Sequence, residues 1–183
     1  MLRVLIAFAS SEGQTEAVAH RLAGRLEAVG CVVRLRELGS ERSETATEAW
    51  DAAILAGSIH VGQYQPALER FIAAQAEQLR CLPTAFVSVS LSAASRDPAE
   101  QAAIRSIAAK LFEKTGWQPD RTAHVAGAVH DNRLGWLKRL VLHAILRTKG
   151  VKPDPSGHTV LTDWQAVDAF ARDFRARLGS SAS

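Results

Sequence analysis

Residues 2–16 read LRVLIAFASSEGQTE, and the fold turns on how this stretch is taken. Leu2 to Ala9 is branched and apolar, the composition of a buried strand. The chain leaves it through Ser10, Ser11, Glu12 and Gly13. Val18, Leu22, Leu26 and Val29 then recur at helical spacing until Gly30 closes the segment. Two readings of the turn stay open. It is an ordinary strand-to-helix connection whose Ser and Glu cap a helix. Or it is a socket, in which successive N–H groups at a helix start join the hydroxyls of Ser10 and Thr15 around a phosphate. Gly13 lets the backbone approach such a ligand closely. The stretch is neither GxGxxG nor GxxxxGKS/T, so it is neither a dinucleotide fingerprint nor an ATP-type P-loop.

Working outward, the same alternation repeats. CVVRLREL (31–38) reads as a second strand and AAILAGS (52–58) as a third, with the polar ERSETATEAW (41–50) between them. Pro66 opens a helix to about Leu79, at a position where proline is tolerated. PTAFVSVSL (83–91) is a fourth strand, residues 99–115 a helix ended by Gly116, and TAHVAGAV (122–129) a fifth strand. Thr162 reads as the N-cap of a last amphipathic helix with Asp163 in its first turn. Strands and helices alternating at this length predict one α/β domain over residues 1–178: an open, doubly wound, five-stranded parallel sheet between two helical layers. GSSAS (179–183) reads as a disordered tail. In such a sheet ligands bind beyond the carboxyl ends of the strands, so function is expected in the loops after residues 9, 57 and 90.

Bulk composition narrows the function classes. The chain has 183 residues, 47% of them hydrophobic and 22% charged, which suits a single cored domain. Cys31 and Cys81 lie far apart and form no CxxC, and the six histidines show no HExxH spacing. A disulfide framework and a metal site are therefore not expected, and a reducing, cytoplasmic setting is. The first apolar run is short and ends in a polar turn, unlike a signal peptide. No stretch approaches the roughly 18 apolar residues of a spanning helix. The net charge is +3.

The second loop, GSIHVGQYQP (57–66), places Ser58, Ile59, His60, Gly62 and Tyr64 between a strand end and a helix. Tyr64 is suited to lie on the flat face of an aromatic ring, or equally to be a partly buried tyrosine at a helix start. The third loop offers Ser88, Val89, Ser90, Leu91, Ser92, Ala93 and Ala94, small enough to admit the edge of a planar ligand or to be a plain turn. FASSEGQTE (8–16), GSIHVGQYQPALERF (57–71), LPTAFVSVSL (82–91), WQPDRTAHVAGAV (117–129) and TDWQAVDAFAR (162–172) together resemble flavodoxin-fold proteins. More narrowly, they resemble the quinone-dependent protoporphyrinogen IX dehydrogenases of bacterial heme synthesis, collinearly along nearly the whole chain. The most specific parts are Gly62, Tyr64, Ala67 and Phe71 taken with Trp117, Pro119, Asp120 and Arg121. The resemblance implies a flavodoxin-like domain holding FMN. Its phosphate would sit among Ser10, Ser11, Glu12, Gly13, Gln14 and Thr15, and its ring between loops 57–64 and 88–94. Flavodoxin loops favour threonine where this chain has Glu12, whose carboxylate must point to solvent to spare the phosphate.

HDNRLGWLKRLVLHAILRTKGVKPDPSG (130–157) is too long for a simple connection and forms a basic helical insertion before the last helix. Leu134, Leu137, Val141 and Ile145 share one face, while Arg139, His143 and Arg147 line the other. Arg133, Trp136, Lys138, Arg139 and Arg147 are candidates for docking on anionic lipid headgroups or on substrate carboxylates. The plain alternative is a surface helix packed on the sheet. The resemblance implies oxidation of protoporphyrinogen IX to protoporphyrin IX, with a membrane quinone as acceptor and peripheral contact with the inner face of the cytoplasmic membrane. A flavin-dependent NAD(P)H:quinone reductase and a flavodoxin-type electron carrier are the alternatives, although carriers are usually acidic. No nucleic-acid motif accompanies the charge. No side chain stands out as catalytic, and the sequence is compatible with a homo-oligomer.

Overall fold

The computed structural model describes residues 1–39, 49–130 and 158–180. These form, in chain order, β1 (Arg3–Ala9), α1 (Gln14–Glu27), β2 (Val32–Glu37), β3 (Ala52–Ser58), α2 (Pro66–Arg80), β4 (Thr84–Ser90), α3 (Pro98–Thr115), β5 (Arg121–Ala126), β6 (Ala128–His130), β7 (His158–Val160) and α4 (Trp164–Ser180). A short 3-10 turn, Ser92–Ala94, lies between β4 and α3. Five parallel strands run in the order β2-β1-β3-β4-β5. The doubly wound, three-layer fold expected from the sequence is the one observed.

Parallel strands covered on both faces read as continuous apolar runs rather than alternating ones. That is why every residue of β4 is buried and β3 is buried from Ala52 to Gly57, whereas edge strand β2 is partly exposed. Val18, Leu22 and Leu26 of α1 and Val167, Ala171 and Phe174 of α4 pack on one face, against Val4, Ile6, Ile54 and Val87. Leu68 and Ile72 of α2 and Leu111 and Phe112 of α3 pack on the other, against Leu5, Leu55 and Phe86. β1 is paired with β2 on one side and β3 on the other, with Ala9 in register with Gly57. The chain reverses its winding direction there, so the loops after β1 and β3 emerge side by side and leave a crevice between them.

Three local readings are corrected. The apolar run 122–129 is not one strand. It breaks at Gly127, whose N–H donates to the Ser90 carbonyl at 3.0 Å and whose carbonyl accepts from Leu161 N–H at 3.1 Å. Beyond it β6 pairs antiparallel with β7, forming a second, two-stranded sheet. Thr162 does not cap the last helix. Asp163 does, its Oδ1 accepting from the N–H groups of Gln165 and Ala166 at 3.0 Å each. Helix α4 also continues through Gly179 to Ser180, two residues into the stretch read as tail. Residues 181–183 lie outside the described residues.

Helices α1 and α4 are joined by a charge cluster that periodicity does not announce. Asp168 is 8% exposed and accepts from Arg21 Nε at 2.7 Å, Arg21 Nη2 at 2.8 Å and Arg25 Nη2 at 2.5 Å. These bonds hold its carboxyl well below the usual carboxylate range, against the opposing effect of burial. A carboxylate with a depressed folded-state pKa adds stability above its unfolded pKa of about 4 and loses it as pH falls toward the folded value. Asp168→Asn is therefore expected to lower the thermal midpoint at pH 7 and to flatten the acid limb of the wild-type midpoint-against-pH curve below about pH 4. Added salt narrows the difference, because both arginines are partly exposed. An unchanged midpoint at pH 7 and low salt would remove the cluster from the account of stability.

Candidate functional site

The crevice at the carboxyl end of the sheet is lined by Ser10, Ser11, Glu12, Gln14 and Thr15 from the first loop, and by Ser58, Ile59 and His60 from the second. Val89, Ser90 and Leu91 line it from the third, and Gly127 and Ala128 beyond β5 complete it. It thus draws together eleven residues expected from the sequence and two that were not. Its cavity volume is about 60 Å³, and the crevice is partly open to solvent.

Its enclosed end is built at the start of α1. Gly13 is the N-cap residue with φ 84, a left-handed conformation glycine adopts without strain, and no side chain caps the helix among the described residues. Gly13 N–H itself donates to Ser10 Oγ at 3.0 Å. The first N–H groups of the helix have no intrahelical partners and point out of its end, where the helix dipole is positive. Thr15, second residue of the helix, is 1% exposed, and its hydroxyl has no hydrogen-bond partner among the described residues. A buried hydroxyl without a partner costs about 1–3 kcal/mol. Oriented N–H groups, an uncapped helix end and an unused hydroxyl are what an anion needs. Among the described residues no lysine or arginine lines the crevice.

The second loop turns tightly. His60 N–H donates to the Gln63 carbonyl at 2.8 Å and Gln63 N–H to the His60 carbonyl at 3.1 Å. Val61 (φ 50) and Gly62 (φ 74) occupy the centre, the backbone pattern of a type I′ turn. Positive φ is rare for a β-branched residue. Val61 holds it while 88% exposed, so side-chain burial does not explain it. Gly57, where this loop begins, must be glycine for packing reasons: a Cβ there would collide with Leu68 and press on Tyr64.

Tyr64 is not placed as a ring-stacking residue. It is 5% exposed and stands edge-on to Phe86, centroids 5.3 Å apart, while its hydroxyl donates to Ser88 Oγ at 2.8 Å. Burial pushes the phenol up to about 12, and the Ser88 bond only partly offsets this. Tyr64 and Ser88 lie in the core rather than in the lining. Gly62 sits at the exposed turn tip, and Ser92, Ala93 and Ala94 lie in the 3-10 turn past Leu91. The docking candidates Arg133, Trp136, Lys138, Arg139 and Arg147 lie outside the described residues.

Two contributors had escaped the sequence reading. Gln65 joins the first two loops, its Nε2 donating to Ser11 Oγ at 2.9 Å and Ser58 Oγ at 2.5 Å. Gly127 reaches the crevice through its bond to Ser90. The only sequence signal for the first was a glutamine just before a helix proline; for the second, a glycine inside a strand pattern, which often marks a bend.

A flavodoxin-domain family model matches residues 5–156. The protoporphyrinogen IX dehydrogenase (quinone) of Escherichia coli strain K12 is 32% identical over 173 residues, covering 94% of either chain. A protein of the same name from Leishmania major is 26% identical over 178 residues, 95% of this chain and 75% of that one. Among solved structures, a flavodoxin of Streptococcus pneumonia TIGR4 superposes with a TM-score of 0.56 at 17% identity, over 96% of this chain and 99% of that one. Rubredoxin oxygen:oxidoreductase of Desulfovibrio gigas gives a TM-score of 0.59 at 17% identity over 99% of this chain, which spans 37% of that longer chain. At these identities the structural likeness establishes the fold alone. With 32% identity along nearly its whole length to one such enzyme and the family model spanning most of it, the chain belongs to the flavodoxin-domain family and, within it, to the protoporphyrinogen IX dehydrogenases (quinone).

Proposed function

We propose that this protein is an FMN-dependent oxidoreductase of heme biosynthesis, which oxidises protoporphyrinogen IX to protoporphyrin IX and passes the electrons to a membrane quinone. The observation that carries the cofactor assignment is the uncapped start of α1 with the Thr15 hydroxyl, which has no partner among the described residues, in the crevice between β1 and β3. Flavin monophosphate matches it: a phosphate for the enclosed end and a ring for the open side. The N–H groups at the start of α1 and the hydroxyls of Ser10 and Thr15 hold the phosphate, with Glu12 exposed at the rim. Ser58, Ile59 and the Val89–Leu91 segment form the shelf for the ring. FMN supplies the two-electron chemistry when bound; the protein orients it and limits its exposure to water. His60 is the only imidazole in the lining and is exposed, so a role in moving protons rests on position alone.

The basic residues Arg133, Lys138, Arg139 and Arg147, with Trp136, are assigned in this reading to anionic headgroups or to the propionates of the porphyrinogen. The protein then works in the cytoplasm, against the inner face of the membrane. Among the described residues no helix is long and apolar enough to cross a membrane. The test is anaerobic. FMN-loaded protein is offered protoporphyrinogen IX with and without a quinone, and porphyrin fluorescence is followed. Porphyrin fluorescence that rises beyond what the bound FMN alone can oxidise, two electrons per protein, is expected only with quinone. Its absence, alongside quinone-dependent oxidation of NADH or NADPH, would replace this reading with that of a nicotinamide:quinone reductase.

A further inference from the structure

We infer that Thr162 is a positioning residue for the phosphate cradle, acting through Gln14 although it touches no ligand itself. This rests on the reading of the crevice as an FMN site. The hydroxyl of Thr162 is used in both senses. It donates to the Ala126 carbonyl at 2.6 Å and accepts from Gln14 Nε2 at 2.7 Å. Thr162 is 9% exposed, and Gln14 stands 148 residues before it in the chain. Gln14 is the first residue of α1 and lines the crevice. Ala126 is the last residue of β5, directly before Gly127 and Ala128, which also line the crevice.

One hydroxyl therefore ties the start of α1 to the end of β5, two segments that both contribute to the lining. On one side it fixes the Gln14 side chain at the mouth of the helix. On the other it fixes the end of β5, from which Gly127 reaches the Ser90 carbonyl and receives Leu161 N–H. Since Asp163 rather than Thr162 caps α4, this hydroxyl is not needed to start that helix. A hydroxyl is one donor with two acceptor lone pairs, so valine, which has the same shape, removes both bonds at once, while serine keeps them. A cradle that must be ordered before it binds pays for that ordering in affinity, and the wild-type bond has already done so.

The test is an FMN titration by flavin fluorescence on apoprotein, with apoprotein melting recorded in parallel. Thr162→Val is expected to weaken FMN binding about tenfold, and Thr162→Ser to stay within about twofold of wild type. The double variant with Gln14→Met is expected to lose clearly less than the sum of the two single losses, because the Gln14–Thr162 bond is cut by both changes. Should Thr162→Val fail to fold, Thr162→Ala, which also lacks the hydroxyl, carries the test with the same expected outcomes. Wild-type affinity in folded Thr162→Val, or losses that add in the double variant, would overturn the role. A lower melting temperature with unchanged affinity would also overturn it, marking Thr162 as merely structural. If wild-type apoprotein itself takes up no FMN, the reading of the crevice fails instead, so the two failures are distinguishable.

Discussion

Thr15→Val is expected to weaken FMN binding by roughly ten- to hundredfold while leaving the apoprotein as stable as before, or more so. The two effects have opposite signs because the Thr15 hydroxyl is buried with no partner among the described residues. An unsatisfied buried hydroxyl costs the free protein about 1–3 kcal/mol, and valine removes that cost at the same shape. With a phosphate in the crevice the hydroxyl gains a charged acceptor, and such bonds contribute about 1.5–3 kcal/mol. That range converts to the predicted loss of affinity. Thr15→Ser should retain most of the binding. Fluorescence titration gives the affinity and thermal melting of apoprotein gives the stability. Unchanged affinity in Thr15→Val would place the phosphate elsewhere. Lower affinity together with a markedly less stable apoprotein would mean that the hydroxyl has a structural partner after all.

Phe86→Ala is expected to cost about 3–5 kcal/mol of folding stability, the usual range for deleting a buried phenyl ring. Phe86 has no exposed surface and is the hub of an aromatic cluster. Tyr64 and Phe112 stand edge-on to it with centroids 5.3 Å away, and Trp117 at 6.2 Å. Edge-to-face pairs add about 0.5–1.5 kcal/mol each beyond the area they bury. Typical domains hold only about 5–15 kcal/mol in total, so this one change should shift the urea midpoint severely. It should also loosen Tyr64, and with it the loop that begins at Gly57 and forms the second wall of the crevice. A loss below about 1 kcal/mol would show that the cluster repacks freely and that its ring geometry matters little.

This aromatic cluster marks where reading the chain alone stopped short. Tyr64 stands in a polar loop beside a ligand-type turn, so the chain alone leaves open both a ring-stacking role and a partly buried tyrosine at a helix start. Its burial is imposed by Phe86, Ser88 and Leu68, which come from β4 and α2. Trp117, Pro119, Asp120 and Arg121 drew attention as a family-specific string, yet Trp117 fills the core and Asp120 accepts the Thr84 N–H at 2.6 Å. In these two residues the motif specifies how β4 and β5 begin rather than contacts to a ligand. The first loop was legible because its chemistry is local. Gly13, the hydroxyls around it and the helix start are all neighbours in the chain.

Order along the chain was enough to determine the five strands of the parallel sheet and the helices that cover it. Apolar period, turn residues and glycine positions are properties of adjacent residues, and they are written where they act. Tertiary structure alone decided that Thr162 serves Gln14 rather than its own helix, that Asp168 gathers two arginines from α1, and that Gly127 closes the crevice. Each of those pairings joins groups distant in the chain, and a hydrogen bond across such a distance leaves no periodic trace. It exists only once both faces of the sheet are covered and the strands have fixed which ends stand side by side.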